Sequence, residues 1–258
     1  MIVHDEVKAL VSRLLHRQQE GLGPNFLGLY LRGSLALGAF DPETSDVDAL
    51  CVTETVLDAA EEAALKRLHL ELAALPNSYA TELELAYLPR ASAWRWRAGE
   101  SHLTLGRGSG ELQWSEHREN WVLERWAVRE HGLTLAGPPP ISLIAPVSHE
   151  HLRRAVTARL HDWHAFALTP NDPGWGHRGH AAYATETVCR MLHTLHTGQL
   201  ASKADAVAWA LSTLPDPWHE LVAQAHRWKT DATLDAALNR TVQAFIGWAV
   251  RKAESSQR

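Results

Sequence analysis

The segment 26–53 constrains the fold of this chain more than any other part of the sequence. It reads FLGLYLRGSLALGAFDPETSDVDALCVT: an apolar strand, Gly33-Ser34 and a short apolar helix start, then Asp46 and Asp48 opening a second apolar strand. Side chains two residues apart on a strand point to the same face. We therefore expect the two carboxylates side by side, with their Cα atoms roughly 6.6–6.8 Å apart.

This arrangement points to a particular chemistry. Two parallel carboxylates at the end of a buried strand repel each other unless a cation lies between them. Gly33 and Ser34, at a strand-to-helix turn, offer backbone N–H groups and a hydroxyl to an anion. A carboxylate pair beside an anion-binding turn is what handling of a metal-bound polyphosphate requires. The alternative is a turn glycine followed by an Asp-rich loop, and the order of strand, Gly-Ser and Asp-x-Asp within one short unit disfavours it.

Length and composition limit the class of protein. A chain of 258 residues suits one or two domains. It contains no apolar run of the ~18 residues that a membrane span needs, and its N-terminus lacks the pattern of a signal peptide, so we expect a cytoplasmic protein without a membrane partner. The net charge of −5 disfavours a nucleic-acid partner. Cys51 and Cys189 lack paired spacing and are predicted to be buried free thiols.

The pattern along the chain predicts an α+β protein with two domains. The proline-rich stretch at 138–140, followed by Pro146, marks the boundary between domains at 1–147 and 148–258. The first domain mixes strands and helices, and the second is an all-α helical bundle. In the first we predict helices at 4–20, 57–75 and 115–131, strands at 26–31, 49–52 and 82–88, and a Gly- and Ser-rich loop at 99–110. In the second we predict helices at 148–168, 181–197, 203–213, 217–228 and 231–252.

A third carboxylate is expected from a neighbouring strand. The predicted strand at 82–88 offers Glu82 and Glu84, which share one face by strand parity. Either side chain could reach the aspartate pair, and solvent-facing glutamates on an edge strand are the alternative.

Two sets of motifs resemble known families. Gly33-Ser34, Gly38 and Ser45-Asp46-x-Asp48 resemble the signature of the DNA polymerase beta-like nucleotidyltransferase superfamily. Residues 188–215, VCRMLHTLHTGQLASKADAVAWALSTLP, resemble the helical domain of the aminoglycoside adenylyltransferases that act on streptomycin and spectinomycin. Residues 129–140, REHGLTLAGPPP, resemble the connection between the two domains of that family.

The resemblance implies an N-terminal nucleotidyltransferase domain and a Mg²⁺-dependent adenylyltransferase. Such an enzyme transfers AMP from ATP to a hydroxyl of a small, aminoglycoside-like molecule and releases pyrophosphate; we expect it to be a monomer. The implied site residues are Gly33, Ser34, Ser45, Arg190 and Lys203 for the nucleotide phosphates, and Asp46, Asp48 and Glu84 for Mg²⁺, with Glu84 also as the general base.

The residues of the helical domain also have simpler readings. Arg190 could form an ion pair with Glu186 one turn earlier, and Lys203 could be a solvated lysine in the first turn of its helix. Residues 94–97, Trp-Arg-Trp-Arg, could stack on a base or sugar, or could lie on a strand edge or helix surface.

The acceptor side departs from the family pattern. In the segment 171–186, NDPGWGHRGHAAYATE, Asp172 is a possible acid, but Arg178 and His180 lie where a second carboxylate is expected. The tryptophan that the family carries after its Glu-Leu-Gln is replaced in ELQWSEH, residues 111–117, where Trp114 comes early and His117 late. Two alternatives therefore stand: a nucleotidyltransferase with a protein or RNA acceptor, and a nucleotide-binding or toxin-antitoxin-type protein without turnover.

Overall fold

The computed structural model describes residues 5–169 and 176–255, and the chain divides into two compact units, Met1–Val147 and Ser148–Arg258. None of the helices in these described ranges is long and apolar enough to cross a membrane.

The first unit is a mixed sheet with helices. Its helices are α1 (Asp5–Leu22), α2 (Gly33–Ala36), α3 (Ala59–Ala73), α4 (Arg90–Trp94) and α5 (Asn120–His131). Its strands are β1 (Phe26–Leu31), β2 (Val47–Thr53), β3 (Leu83–Pro89), β4 (Ser101–Leu105), β5 (Leu112–Glu116) and β6 (Leu133–Ala136). The sheet order is β5-β4-β3-β2-β1-β6, in which β2 and β3 are parallel and the other neighbours are antiparallel.

Strand β2 lies at the centre of this unit, and all seven of its residues are buried. Alternate residues face opposite sides of the sheet. Ala49 and Cys51 pack in the core that includes α1 and α3, whereas Leu50 and Val52 pack in a second core with part of α5. Because apolar cores cover both faces, a polar residue is tolerated on β2 only near a strand end, and Asp48 lies there.

The structure corrects two predictions in this unit. The segment 99–110 is not a loop throughout, because Ser101–Leu105 forms β4. Residues 115 and 116 belong to β5, so the helix predicted at 115–131 begins at Asn120. Both errors have one cause: β4 pairs with β3 and β5, and these hydrogen bonds come from outside the local window.

In the residues that the structure describes, the regular elements of the second unit are all helices, as predicted. It contains α6 (His149–Ala167), α7 (Arg178–Thr197), α8 (Lys203–Thr213), α9 (His219–Ala225) and α10 (Ala236–Ser255). The predicted bounds of α8, 203–213, are confirmed. The helix starts there because the Ser202 hydroxyl accepts a hydrogen bond from the backbone N–H of Asp205. Helix α7 ends at Thr197 and is capped by Gly198, whose φ of 70° is a left-handed conformation that favours glycine.

Candidate active site

Three carboxylates of the first unit come together at one end of the central strands. One oxygen each from Asp46, Asp48 and Glu84 lies within 4.8 Å of the others. Strand register explains this, because Asp48 is the direct neighbour of Glu84 in the parallel β2–β3 pair. Asp46 lies just before β2, two residues from Asp48, so its side chain reaches the same side.

The structure distinguishes between the two candidate glutamates by position. Glu82 precedes β3, and its Oε2 accepts a hydrogen bond from Arg107 Nε. Glu84, within β3, is the glutamate that joins the aspartate pair.

The turn after β1 leaves room for these carboxylates. Gly33 has a φ of 62°, and a Cβ atom at this position would overlap the carboxylate of Asp48. Only glycine therefore satisfies both the backbone and the space here. The buried hydroxyl of Ser34 has no hydrogen-bond partner within the described part of the chain. A buried polar group usually has a partner, so this hydroxyl is available to a ligand.

Ser45 has a local contact in the loop that leads to Asp46. Its hydroxyl oxygen accepts the backbone N–H of Asp41 at 2.9 Å, which helps to close the segment 41–45. The predicted contact of Ser45 with a phosphate stays a prediction.

Sequence reasoning missed two cations in the site. Arg107 Nη1 lies 3.9 Å from Asp46 Oδ2, and Arg32 contacts the other two carboxylates. Arg32 Nη1 lies 3.0 Å from Asp48 Oδ1 and 2.7 Å from Glu124 Oε2, and its Nη2 lies 4.0 Å from Glu84 Oε2. Burial lowers the pKa of Arg32, but four nearby carboxylates, with Asp48 and Glu124 the strongest, outweigh burial and raise this pKa above its ordinary value. The sequence offers little indication of this role. Arg32 directly precedes Gly33 of the motif, but its partner Glu124 is 92 residues away along the chain.

Glu84 has unusual electrostatics for a carboxylate. Burial, followed by the nearby Asp48 charge, raises the pKa of Glu84 from 4.5 to about 7, although Arg32 opposes the shift. A group with a pKa near neutrality can both accept and release a proton at physiological pH. Perturbed pKa values of this kind are typical of functional sites.

The two predicted cations of the second unit lie near the start of α8. Arg190 Nε donates to the carbonyl of Ala201 at 3.1 Å, and Lys203 Nζ lies 4.8 Å from the ring centre of Tyr183. Glu186, the alternative partner of Arg190, instead pairs with Lys229 at 3.6 Å.

The residues that depart from the family pattern have partners in the second unit. Arg178 pairs with Asp235 at 3.1 Å and with Asp231 at 3.5 Å. His180 stacks on Phe166, with ring centres 5.6 Å apart. The positive charge of Arg178 is therefore compensated within its own unit. Asp172 lies outside the described residues.

His117 and residues 94–97 lie in the first unit. His117 is fully buried and stacks on Trp121 with ring centres 3.5 Å apart. Burial lowers the pKa of His117 to about 2, so this histidine is neutral. Trp94 ends the short helix α4 and is half-exposed, and Arg97 pairs with Glu100 at 3.3 Å. Only Trp94 of this segment lies on a helix, because α4 ends there and residues 95–97 follow it.

Comparisons with known proteins address the family resemblance. Residues 142–251 match the family model described as aminoglycoside adenylyltransferase, C-terminal domain. An aminoglycoside (3'') (9) adenylyltransferase of Shigella flexneri is 26% identical over 241 residues, covering 86% of this chain and 85% of the relative. A spectinomycin 9-adenylyltransferase of Campylobacter jejuni is 22% identical over 237 residues, covering 86% and 84%.

A solved structure is similar over nearly the whole fold. The spectinomycin adenyltransferase AAD(9) from Enterococcus faecialis, determined with ATP and spectinomycin, superposes with a TM-score of 0.76. It covers 96% of this chain and 99% of that one at 15% sequence identity. This likeness confirms the predicted fold class, a mixed α and β unit followed by a helical one.

Together, the fold and the sequence similarity define the class of protein, a nucleotidyltransferase enzyme. More narrowly, the chain is similar to the aminoglycoside adenylyltransferases, which confirms the resemblance found in its motifs.

Proposed function

We propose that this protein is a Mg²⁺-dependent adenylyltransferase. In this proposal it transfers AMP from ATP to a hydroxyl of an aminoglycoside-like small molecule and releases pyrophosphate. The observation that carries the proposal is the cluster of Asp46, Asp48 and Glu84, whose oxygens lie within 4.8 Å of one another beside the Gly33-Ser34 turn.

The residues present fit a magnesium ion. Carboxylate oxygens are the ligands that Mg²⁺ prefers, and Asp46, Asp48 and Glu84 would hold it. When bound, the ion would compensate the negative charge of the triphosphate and of the departing pyrophosphate.

The residues around this cluster have complementary tasks in the proposed reaction. Glu84, with its pKa of about 7, takes the proton from the acceptor hydroxyl. The acceptor oxygen then forms a bond to the α-phosphorus, and the bond from that phosphorus to the bridging oxygen of the pyrophosphate breaks. The backbone N–H groups of the turn and the Ser34 hydroxyl orient the phosphates, because anions bind well at such turns.

We assign a supporting task to Arg190 and Lys203. The hydrogen bond of Arg190 to Ala201 holds it close to the first turn of α8, where Lys203 begins the helix. Two cations beside a helix N-terminus suit phosphate oxygens, since the helix dipole adds to their charge.

Support for the acceptor class comes from the relatives, which are named for aminoglycosides and for spectinomycin. No contact among the described residues favours a macromolecular acceptor: Arg90 pairs with Glu54 at 2.7 Å and Arg97 with Glu100 at 3.3 Å. Two of the arginines near Trp94, Arg90 and Arg97, are thus compensated by carboxylates, which argues against a basic surface for RNA built on them. We also expect the protein to act as a cytoplasmic monomer.

The direct test is pyrophosphate release with ATP and Mg²⁺ in the presence of streptomycin, spectinomycin or other aminoglycosides. We expect release that depends on the acceptor and falls at least about a thousandfold in Asp48→Asn, because that variant loses a charged ligand. Glu43→Gln, an exposed acid in the preceding loop, is the matched control and should retain activity. Silence of the wild type with every acceptor, or full activity of Asp48→Asn, would overturn the proposal.

A further inference from the structure

The guanidinium of Arg32 lies among the carboxylates that we assign to the metal. Its Nη1 is 3.0 Å from Asp48 Oδ1 and its Nη2 is 4.0 Å from Glu84 Oε2. The side chain is only 12% exposed. Arg32 thus links the two carboxylates from adjacent strands, and it uses an oxygen of Asp48 that could otherwise bind a cation.

Two contacts hold Arg32 in this position. Its backbone N–H donates to the carbonyl of Asp48 at 2.9 Å, which continues the pairing of β1 with β2 and fixes the start of the side chain. At the other end of the side chain, Glu124 Oε2 from α5 accepts a hydrogen bond from Nη1 at 2.7 Å. A charge-assisted hydrogen bond of this length is among the stronger contacts of a protein. The guanidinium is therefore anchored from both the sheet and the helix.

Arginine differs from a mobile ion in that it cannot leave. It stays charged at all physiological pH values and its planar group presents donors in fixed directions. In two-metal sites, carboxylates share two divalent ions about 3.5–4 Å apart. Here a permanent cation already lies between Asp48 and Glu84.

We propose that Arg32, held by Glu124, is a resident cation of this site, so that the nucleotide-bound protein takes up one divalent ion where a two-metal site takes up two. The inference rests on the proposed function, because it assumes that the carboxylates bind a metal with a nucleotide.

The test counts metal ions and does not depend on turnover. The full-length protein, stripped of metal, is titrated with Mn²⁺ in the presence of a non-hydrolysable ATP analogue, and free Mn²⁺ is followed by electron paramagnetic resonance. We expect one tightly bound ion per wild-type chain and two in Arg32→Gln. Arg32→Lys, which keeps the charge, should still bind one. Arg90→Gln, which removes a surface arginine paired with Glu54, is the matched control and should also bind one.

The outcomes separate this inference from the proposed function. Two ions in the wild type, or one in a folded Arg32→Gln chain, would overturn it while nucleotide binding stays intact. If Arg32→Gln does not fold, as judged by circular dichroism, Arg32→Met provides a second uncharged variant, and the wild-type count alone can still refute the idea. Absence of any Mn²⁺-dependent binding of the analogue to the wild type would instead overturn the proposed function and the inference with it.

Discussion

Replacing Glu84 with glutamine should change how the stability of the metal-free protein depends on pH. The pKa of Glu84 is raised from 4.5 to about 7, first by burial and then by the charge of Asp48. The unfolded chain loses this proton near pH 4.5, whereas the native state keeps it to about pH 7. The carboxyl therefore contributes stability that is fully present below pH 4.5 and is lost as the pH rises to about 7.

The expected magnitude follows from the same shift. Each unit between the unfolded and folded pKa values of Glu84 is worth about 1.4 kcal/mol, so the largest possible change in the free energy of unfolding is about 3 kcal/mol. The side chain of Glu84 is 35% exposed, and solvent screening reduces the effect to about 1–2 kcal/mol. Glutamine does not titrate, so the free energy of unfolding of Glu84→Gln should rise by this amount relative to wild type between pH 5 and pH 8.

Urea denaturation in the presence of a chelator measures this difference. Other titrating groups are common to both proteins, so to a first approximation their effects cancel in the comparison. Glu82→Gln is the control, because Glu82 is paired with Arg107 and its removal should give no gain in stability at higher pH. A difference between Glu84→Gln and wild type that stays constant from pH 5 to pH 8 would refute the burial argument for Glu84.

Three further substitutions test other parts of the structure. Gly33→Ala should cost about 2 kcal/mol or more in thermal unfolding, because the new Cβ would overlap the Asp48 carboxylate at a φ of 62°; an unchanged melting temperature would contradict the described turn. Burial lowers the pKa of His117 to about 2, so this side chain contributes stability above pH 6.5 that is lost as the pH falls. Between pH 6.5 and pH 5, the free energy of unfolding of His117→Asn should therefore fall by about 2 kcal/mol less than that of wild type. Equal acid sensitivity of the two proteins would count against a neutral buried imidazole. Phe245→Ala, at a fully buried position of α10, should lower the free energy of unfolding of the second unit by about 3–5 kcal/mol in urea; a loss below about 1 kcal/mol would mean that this core position is poorly packed.

Local sequence rules explain the part of the site that was predicted. Asp46 and Asp48 are two residues apart at the start of a strand, so strand periodicity alone places them on one side. Gly33 and Ser34 follow a strand directly, and their turn needs no distant partner to form. The bounds of α8 were equally accessible, since the capping contact between Ser202 and Asp205 spans only three residues.

Tertiary structure decided which groups join the aspartate pair, Asp46 and Asp48. Glu82 and Glu84 share a strand face, so parity could not separate them, and only the parallel register of β2 with β3 sets Glu84 beside Asp48. The contact of Arg32 with Glu124 joins a strand end to a helix 92 residues later. Strand β4 was missed for a similar reason, since its hydrogen bonds come from β3 and β5.

The sequence by itself thus determined the aspartate pair, the glycine turn and the bounds of α8, because each depends on residues within a few positions of one another. The third carboxylate, the resident arginine and its glutamate depend on strand register and helix packing, which bring distant segments together and appear only in the folded chain.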